Sequence, residues 1–307
     1  MYDLIIVGGG PAGLAAAIYA VRKHLDVMLI SPDLGGKAAA RTLVEGEAYR
    51  VINGADVVRR FRDEMEYLDF TRLFDKVIQL QKTASGFRVA TENGHELEAR
   101  TVILATGADA VRLAAPGADR YFLKGVMYST VSYAPLFAQK QVAVVGADRM
   151  ALRGAAELAQ IAREVYLVAP EHGDLDSAIG RRVRSSARVS LFDGWHVAGV
   201  EGDTMARRLI VESPAGERRT LAVDGIFVEL GLKPNAGLVQ GWVEQDELGR
   251  VVVNCRAETS VPGLFAAGDV TNLPAEQVLI AIGEGAKATL NAFEYVLSLE
   301  EPAQAAA

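Results

Sequence analysis

The sequence predicts an α/β protein with two Rossmann-like, three-layer units, because residues 3–31 and 141–169 write one piece of architecture twice. Asp3-Leu-Ile-Ile-Val-Gly8 aligns with Gln141-Val-Ala-Val-Val-Gly146, and the copies run without a gap to Ser31 and Ala169. Each reads as a short apolar strand, a tight turn, an Ala-rich helix and a second apolar strand (27–30 and 165–168), the alternation of a parallel sheet with covering helices. The second observation is the turn itself. Gly8-Gly9-Gly10-Pro11-Ala12-Gly13 is an intact G-x-G-x-x-G. Its glycines allow a tight turn, approach of a pyrophosphate to the backbone, and close helix–strand packing. The helix N-terminus then offers free N–H groups and a positive dipole end to an anion. In the second copy the turn is Gly146-Ala147-Asp148-Arg149-Met150-Ala151. Asp148 puts bulk and negative charge at the approach position, so one site reads as usable and the other as spoiled.

The remaining elements follow in order. Beyond Ser31 comes Gly35-Gly36-Lys37 and a loop to about Asn53. Val57, Val58, Phe61, Met65 and Leu68 give a helical spacing that predicts a helix over 56–69. Alternating strands are expected at 77–80 and 87–90, with Asn93-Gly94 as a hairpin turn. Residues 101–104 read as a buried strand ending in Ala105-Thr106-Gly107. From about Arg112 a new unit begins, carrying the second copy and a hairpin region (209–211, a turn at 214–216, and 220–223). It closes with Ile226-Phe-Val-Glu-Leu-Gly231-Leu-Lys-Pro234-Asn235. A helix is expected over about 275–297, and 300–307 reads as a frayed polar tail.

Composition narrows the class. The 307 residues suit two domains, and 50% hydrophobic with 23% charged residues is ordinary for a globular enzyme. A net charge of −7 provides no basic stripe, so no nucleic-acid partner is expected. Arg207-Arg208 and Arg218-Arg219 flank hairpin strands and read as solvated faces. No apolar run approaches a membrane span, and no export signal precedes the first strand, so a cytoplasmic location is expected. A single cysteine, Cys255, excludes an intramolecular disulfide and reads as structural. His24, His95, His172 and His196 show no ligand spacing, so no metal site is expected.

Residues 8–13, Gly35-Gly36, Ala105-Thr106-Gly107, 231–234, 259–265 and Ala267-Gly268-Asp269, in that order, resemble the thioredoxin reductase family of flavoproteins (class II pyridine nucleotide-disulfide oxidoreductases). The resemblance covers nearly the whole chain. It implies an FAD-binding domain in two parts (1–111 and 245–307) with an NAD(P)-binding-like domain (112–244) inserted, and a homodimer. It implies FAD contacts from Gly8, Gly10, Pro11, Ala12 and Gly13 in the first turn, and from Ser31 at the end of the second strand. Gly36, Lys37 and Val77 are expected beside the cofactor, with Ala105, Thr106 and Gly107 at a third strand end. Gly268 and Asp269 are placed at the ribityl chain or pyrophosphate. Gln277 and Val278 open the last helix, whose N-terminus is expected at the flavin N1–O2 edge. Ser31 stands where many such sites carry an acid, and Lys37 replaces the Gln of the family's Gly-Gly-Gln.

The departures carry the functional expectation. In the family pattern the two redox cysteines fall on Ser129 and Ser132, within Tyr128-Ser-Thr-Val-Ser-Tyr133, and the following Asp-Gly has become Tyr133-Ala134. Serine forms no disulfide, and its hydroxyl is too basic to act as a thiolate does. The His-Arg-Arg that clamps an NADPH 2′-phosphate corresponds to Ala169-Pro170-Glu171, where Glu171 repels phosphate. Arg181, Arg182 and Arg184 lie farther along and read as a solvated helix face. The expectation is therefore an FAD-binding, oxidoreductase-like protein without thiol–disulfide activity, reduced by a donor other than NADPH, with donor and acceptor unnamed and no catalytic residue assigned. An NAD(P)H-dependent flavin oxidase or reductase with an unorthodox nucleotide site is one alternative, with Glu171 accepting from an NADH ribose. A non-catalytic flavin-binding or redox-sensing subunit is another. Ferredoxin–NADP reductases of the family also lack the cysteines but carry a C-terminal aromatic on the flavin. Here the last aromatic, Tyr295, falls inside the expected final helix.

Overall fold

In the computed structural model, residues 1–39, 56, 59–61, 63, 71–273 and 275–299 are described. They form two compact units. Of the described residues, the first takes those up to Asp109 and again from Lys233; the second takes Ala110–Leu232. The chain crosses between them through β7 (Ala108–Ala110) and β16 (Leu232–Pro234), which pair as a two-stranded ribbon. The return to the first unit therefore comes about a dozen residues before the boundary drawn at Glu244. Ala236, Val239, Val243 and Val251 explain this, because they bury themselves in the same core cluster as Ile5, Val7 and Ile30.

The first unit is built on a sheet of order β3-β2-β1-β6-β5-β4, with β17 against β6. Its parallel part comprises β1 (Tyr2–Val7), β2 (Val27–Ile30), β3 (Arg72–Leu73), β6 (Glu96–Leu104) and β17 (Leu264–Ala266). Leu4, Ile5, Ile6 and Val7 are all buried, as expected of a strand covered on both faces. Val7 pairs with Ile30 on one side and Leu104 on the other, and Leu104 pairs with Ala266. That register brings four strand ends to one edge, where ligands of open α/β sheets bind. β4 (Val77–Lys82) and β5 (Phe87–Thr91) extend the sheet antiparallel, and the expected turn at Gly94 joins β5 to β6 with φ +86°.

Helix Pro11–Arg22 covers one face, and Val278–Leu299 packs directly on it. The two helices meet through small residues: a Cβ on Gly285 would overlap the Ala12 carbonyl, and Thr289 Oγ1 donates to Ala16 O at 3.1 Å. The helix expected over 56–69 falls largely outside the described residues; Asp56, Arg59, Arg60, Phe61 and Asp63 are helical, and Phe61 packs on the core. The tail at 300–307 also lies outside them.

The second unit carries an all-parallel sheet of order β11-β10-β9-β15-β8. Its strands are β8 (Val126–Met127), β9 (Gln141–Val145), β10 (Glu164–Ala169), β11 (Val189–Asp193) and β15 (Gly225–Val228). The helix Arg149–Ile161 follows β9 as expected from the duplication. The hairpin region proves to be a three-stranded antiparallel sheet, β12 (His196–Gly202), β13 (Ala206–Glu212) and β14 (Arg218–Ala222). Arg208 and Arg218 pair across it with Glu201 and Glu212, half-exposed as a solvated face should be. Cys255 is exposed rather than structural, because it sits in a turn off the sheet.

One buried acid anchors the antiparallel edge. Asp75, its side chain 1% exposed, accepts from the backbone N–H of Lys76 (2.7 Å) and Asn93 (3.3 Å) and lies 3.0 Å from His95 Nδ1. Burial pushes its pKa up, but these bonds together with Thr91 outweigh it and hold the carboxyl at about 2, against the ordinary 3.8. A depressed folded-state value contributes stability that is present above 3.8 and is lost as pH falls toward 2. Asp75→Asn should therefore be less stable than wild type at neutral pH, with the gap closing between about pH 4 and pH 2. Urea midpoints measured across that range check it, and a constant gap would rule out the linkage.

Candidate functional site

The site of the first unit is assembled at four strand ends. Gly8 leaves β1 at φ +112°, where a Cβ would overlap the Ala105 carbonyl at the end of β6. Gly9 N–H donates to Ser31 Oγ at 2.8 Å, so the buried Ser31 hydroxyl ties the turn to the end of β2. Gly13 is pressed onto the Gly8 carbonyl with no space for a side chain. Gly10 is the opposite case: a Cβ there would meet nothing within 4 Å. It is the N-cap of the first helix, with Pro11 behind it and no side chain to satisfy the first-turn N–H groups. An open approach in front of an uncapped helix N-terminus is an anion site.

Other expected residues arrive around it. Gly35 N–H donates to Gly9 O at 2.7 Å, which lays the Gly35-Gly36-Lys37 segment against the turn. Lys37 Nζ then reaches Asp269 Oδ2 at 2.9 Å. Gly268, at φ +78°, lies beside Ala12 and Ala281, between the starts of the two helices. Thr106 Oγ1 donates to Asn235 O at 2.7 Å, and Asn235 N–H donates to Gly107 O at 2.9 Å, which locks the third strand end. Val278 opens the final helix, and Gln277 caps its approach with a buried Nε2 that has no hydrogen-bond partner among the described residues. Val77 is buried in the core with Ile5 and Val7. The open space at Gly10, the uncapped helix and the orphaned Gln277 amide fit the FAD implied by the resemblance. The first turn would hold its pyrophosphate, and the Gln277 end would face a polar ring edge.

The duplicated turn shares the backbone but not the opening. Gly146, at φ +140°, presses on the Glu229 carbonyl as Gly8 presses on Ala105. Here the N-cap is Asp148, whose Oδ1 accepts from Ala151 N–H at 2.8 Å. The anion site of this helix is filled by the chain's own carboxylate. Behind it Glu229, 4% exposed, accepts from Thr130 N–H at 2.6 Å. Burial raises the Glu229 pKa, Thr130 bonding offsets part of that, and the Asp148 charge adds to the rise. Sequence reasoning passed over Glu229; its signal was a charge ending the apolar run Ile226-Phe-Val.

Beyond β10, Glu171 is exposed and His172 bridges Asp176 (3.0 Å) and Asp193 (3.2 Å), which raises the imidazole pKa. Arg184 pairs with Asp176 at 2.9 Å and Arg181 donates to the Asp176 carbonyl, so these arginines serve the helix Ala178–Arg184. Ser129 and Ser132 are brought together, with Oγ–Oγ at 2.9 Å across one helical turn, Thr130–Tyr133. No group of three or more His, Cys, Asp or Glu side chains among the described residues could hold a metal. No helix among them is long and apolar enough to cross a membrane.

Comparison with known proteins agrees with this architecture. The chain is 36% identical over 302 residues to the alkyl hydroperoxide reductase F-subunit of Staphylococcus epidermidis, covering 96% of this chain and 59% of that protein. Against its counterpart in Pseudomonas aeruginosa the identity is 34% over 310 residues, covering 98% and 59%. The chain thus spans about three fifths of the length of these relatives. Among solved structures it superposes on thioredoxin reductase from Streptococcus pyogenes with TM-score 0.87 at 29% identity, covering 97% of this chain and 99% of that one. Thioredoxin reductase from Giardia duodenalis gives 0.86 at 26%, covering 96% and 99%. The profile of one family spans residues 2–285, and on that match and these identities the chain belongs to the pyridine nucleotide-disulphide oxidoreductase family, with a thioredoxin reductase-like fold.

Proposed function

We propose that the chain is an FAD-binding oxidoreductase of this family that lacks thiol–disulfide activity and takes electrons from a donor other than NADPH. The observation that carries the reading is the contrast between its two helix N-termini. Gly10 leaves one open, and Asp148 closes the other by accepting from Ala151 N–H. Ser129 and Ser132 support the loss of thiol chemistry, since their adjacent hydroxyls cannot form a disulfide that accepts two electrons. Glu171 and the His172-centred acids support the loss of a 2′-phosphate clamp. FAD, when bound, supplies the electron transfer. The chain's own residues hold the pyrophosphate at the first turn, and the dipole of Val278–Leu299 favours negative charge on the ring. The reading includes a homodimer, as the resemblance implies, and a cytoplasmic location.

The visible spectrum of the purified protein tests the core of this reading: a flavin band is expected, and a protein that stays colourless with added FAD overturns it. Anaerobic mixing with NADH, NADPH, reduced ferredoxin and dithionite then reports the donor through flavin bleaching, and rapid bleaching by NADPH would sink the donor assignment.

The two turns should respond oppositely to exchange of their residues. Gly10→Asp places a carboxylate in the pyrophosphate's path, costing on the order of 1.5–3 kcal/mol. FAD retention should drop roughly tenfold or more. Asp148→Gly should leave FAD content unchanged and add at most weak nucleotide binding. Calorimetric titration with NADH and NADPH decides between these outcomes, and micromolar binding by the unmodified protein would show the second turn to be functional.

Replacing Ser129 and Ser132 together by Cys should permit a disulfide, because their Oγ atoms already lie 2.9 Å apart. Thiol titration before and after reduction reads it. NADPH-driven reduction of thioredoxin should remain absent in that variant, since electron entry is blocked at Asp148. Such activity in the unmodified protein would overturn the proposal.

A further inference from the structure

Lys37 is a charge at a position where the resemblance expects a neutral Gln, and its surroundings give that charge a task. Its backbone is held against the first turn: Gly35 N–H bonds Gly9 O at 2.7 Å, and a Cβ on Gly36 would lie 3.2 Å from Gly10 Cα. Its ammonium lies 2.9 Å from Asp269 Oδ2, with the two side chains 47% and 19% exposed. An ion pair this exposed adds little stability by itself, so its cation can be shared with a second anion at small cost. The charge balance points the same way. Asp33 and Asp269 stand in the segments around the turn, and Lys37 brings a cation among them. Without it a doubly negative pyrophosphate would approach an uncompensated carboxylate, which opposes the attraction of the first-turn N–H groups and the helix dipole.

We propose that Lys37 is a cofactor-binding residue of this chain that neutralises Asp269 and shares the charge of the FAD pyrophosphate, so that flavin retention depends on its positive charge. The proposal rests on the FAD reading. The ammonium stays by Asp269 and also bonds the phosphate oxygens that arrive at Gly10, and binding becomes sensitive to salt in a way the backbone amides alone do not impose.

The test compares wild type, Lys37→Gln and Lys37→Arg in FAD affinity, read by flavin fluorescence on dilution of the holoprotein at increasing NaCl. Lys37→Gln should weaken FAD roughly tenfold at low salt, as loss of a charge-assisted contact requires. The gap should close at about 1 M salt, where the screening length falls to about 3 Å. Lys37→Arg should keep wild-type affinity and salt response. ADP, which carries the same phosphates, should weaken in Lys37→Gln as FAD does and so displace FAD equally from both proteins, whereas riboflavin, which lacks them, should displace FAD more readily from Lys37→Gln. Equal affinities for wild type and Lys37→Gln overturn the proposal. So does a gap that persists at high salt, or an Arg variant as weak as the Gln variant, since either assigns Lys37 a steric role. A shift in flavin midpoint potential with unchanged affinity also overturns it, by moving the charge to the ring. A wild type that binds no FAD defeats the underlying reading instead, and the two failures are separable.

Discussion

The site of this protein depends on two contacts that only glycine permits. Gly13 lies on the Gly8 carbonyl and Gly285 lies on the Ala12 carbonyl, each without space for a single carbon. The first contact presses the helix Pro11–Arg22 onto the end of β1, and the second presses the final helix onto the first. The final helix follows the Gly268–Asp269 segment, so those contacts also bring Asp269 within reach of Lys37. Any side chain at either glycine would lever the helix starts apart, and the strand-end geometry would spread with them. The buried hydroxyl of Thr289, shared between Ala16 O and Gly285 O, shows how closely the two backbones run.

Duplication of one architectural piece has led to two electrostatic outcomes. In the first copy the helix N-terminus keeps its N–H groups available, which leaves the free helix less stable and the site attractive to an anion. In the second, Asp148 caps the helix, a contact worth about 1 kcal/mol, and the same carboxylate removes the attraction. Glu229 compounds the change. It is buried behind the turn, its pKa is raised by burial and by Asp148, and its carboxylate is taken up by Thr130 N–H. The strand ends that leave an open helix N-terminus in one unit hold the chain's own acids in the other. Ala151, fully buried where the first copy has Gly13, fits the same picture of a helix set for internal packing.

The chain spans nearly the full length of the thioredoxin reductases it superposes on and 59% of the alkyl hydroperoxide reductase subunits it matches. What it shares with them is the scaffold. The proposed function rests on a few positions of that scaffold: Asp148 at a helix cap, the Ser129–Ser132 pair, and Lys37 against Asp269.

By itself the sequence determined what is periodic or local. The strand–turn–helix duplication, the burial of residues 101–104, the hairpin turn at Gly94 and the solvated Arg208 and Arg218 follow from patterns a few residues long, because alternation, glycine spacing and charge act locally. The acid at Asp148 was legible for the same reason, as one residue compared between two aligned turns, and the structure makes it the cap of its own helix. Only the tertiary structure decided what depends on partners distant in the chain. Ser31 bonds Gly9, Asp75 gathers Asn93 and His95, Glu229 receives Thr130 across 99 residues, and residues 236–251 rejoin the first core before the expected boundary. Such pairings are set by which strand ends the parallel register brings together, and no local pattern encodes that register. Lys37 spans both kinds: its charge was visible in the sequence, and its partner 232 positions away was fixed by the packing of two helices through glycine.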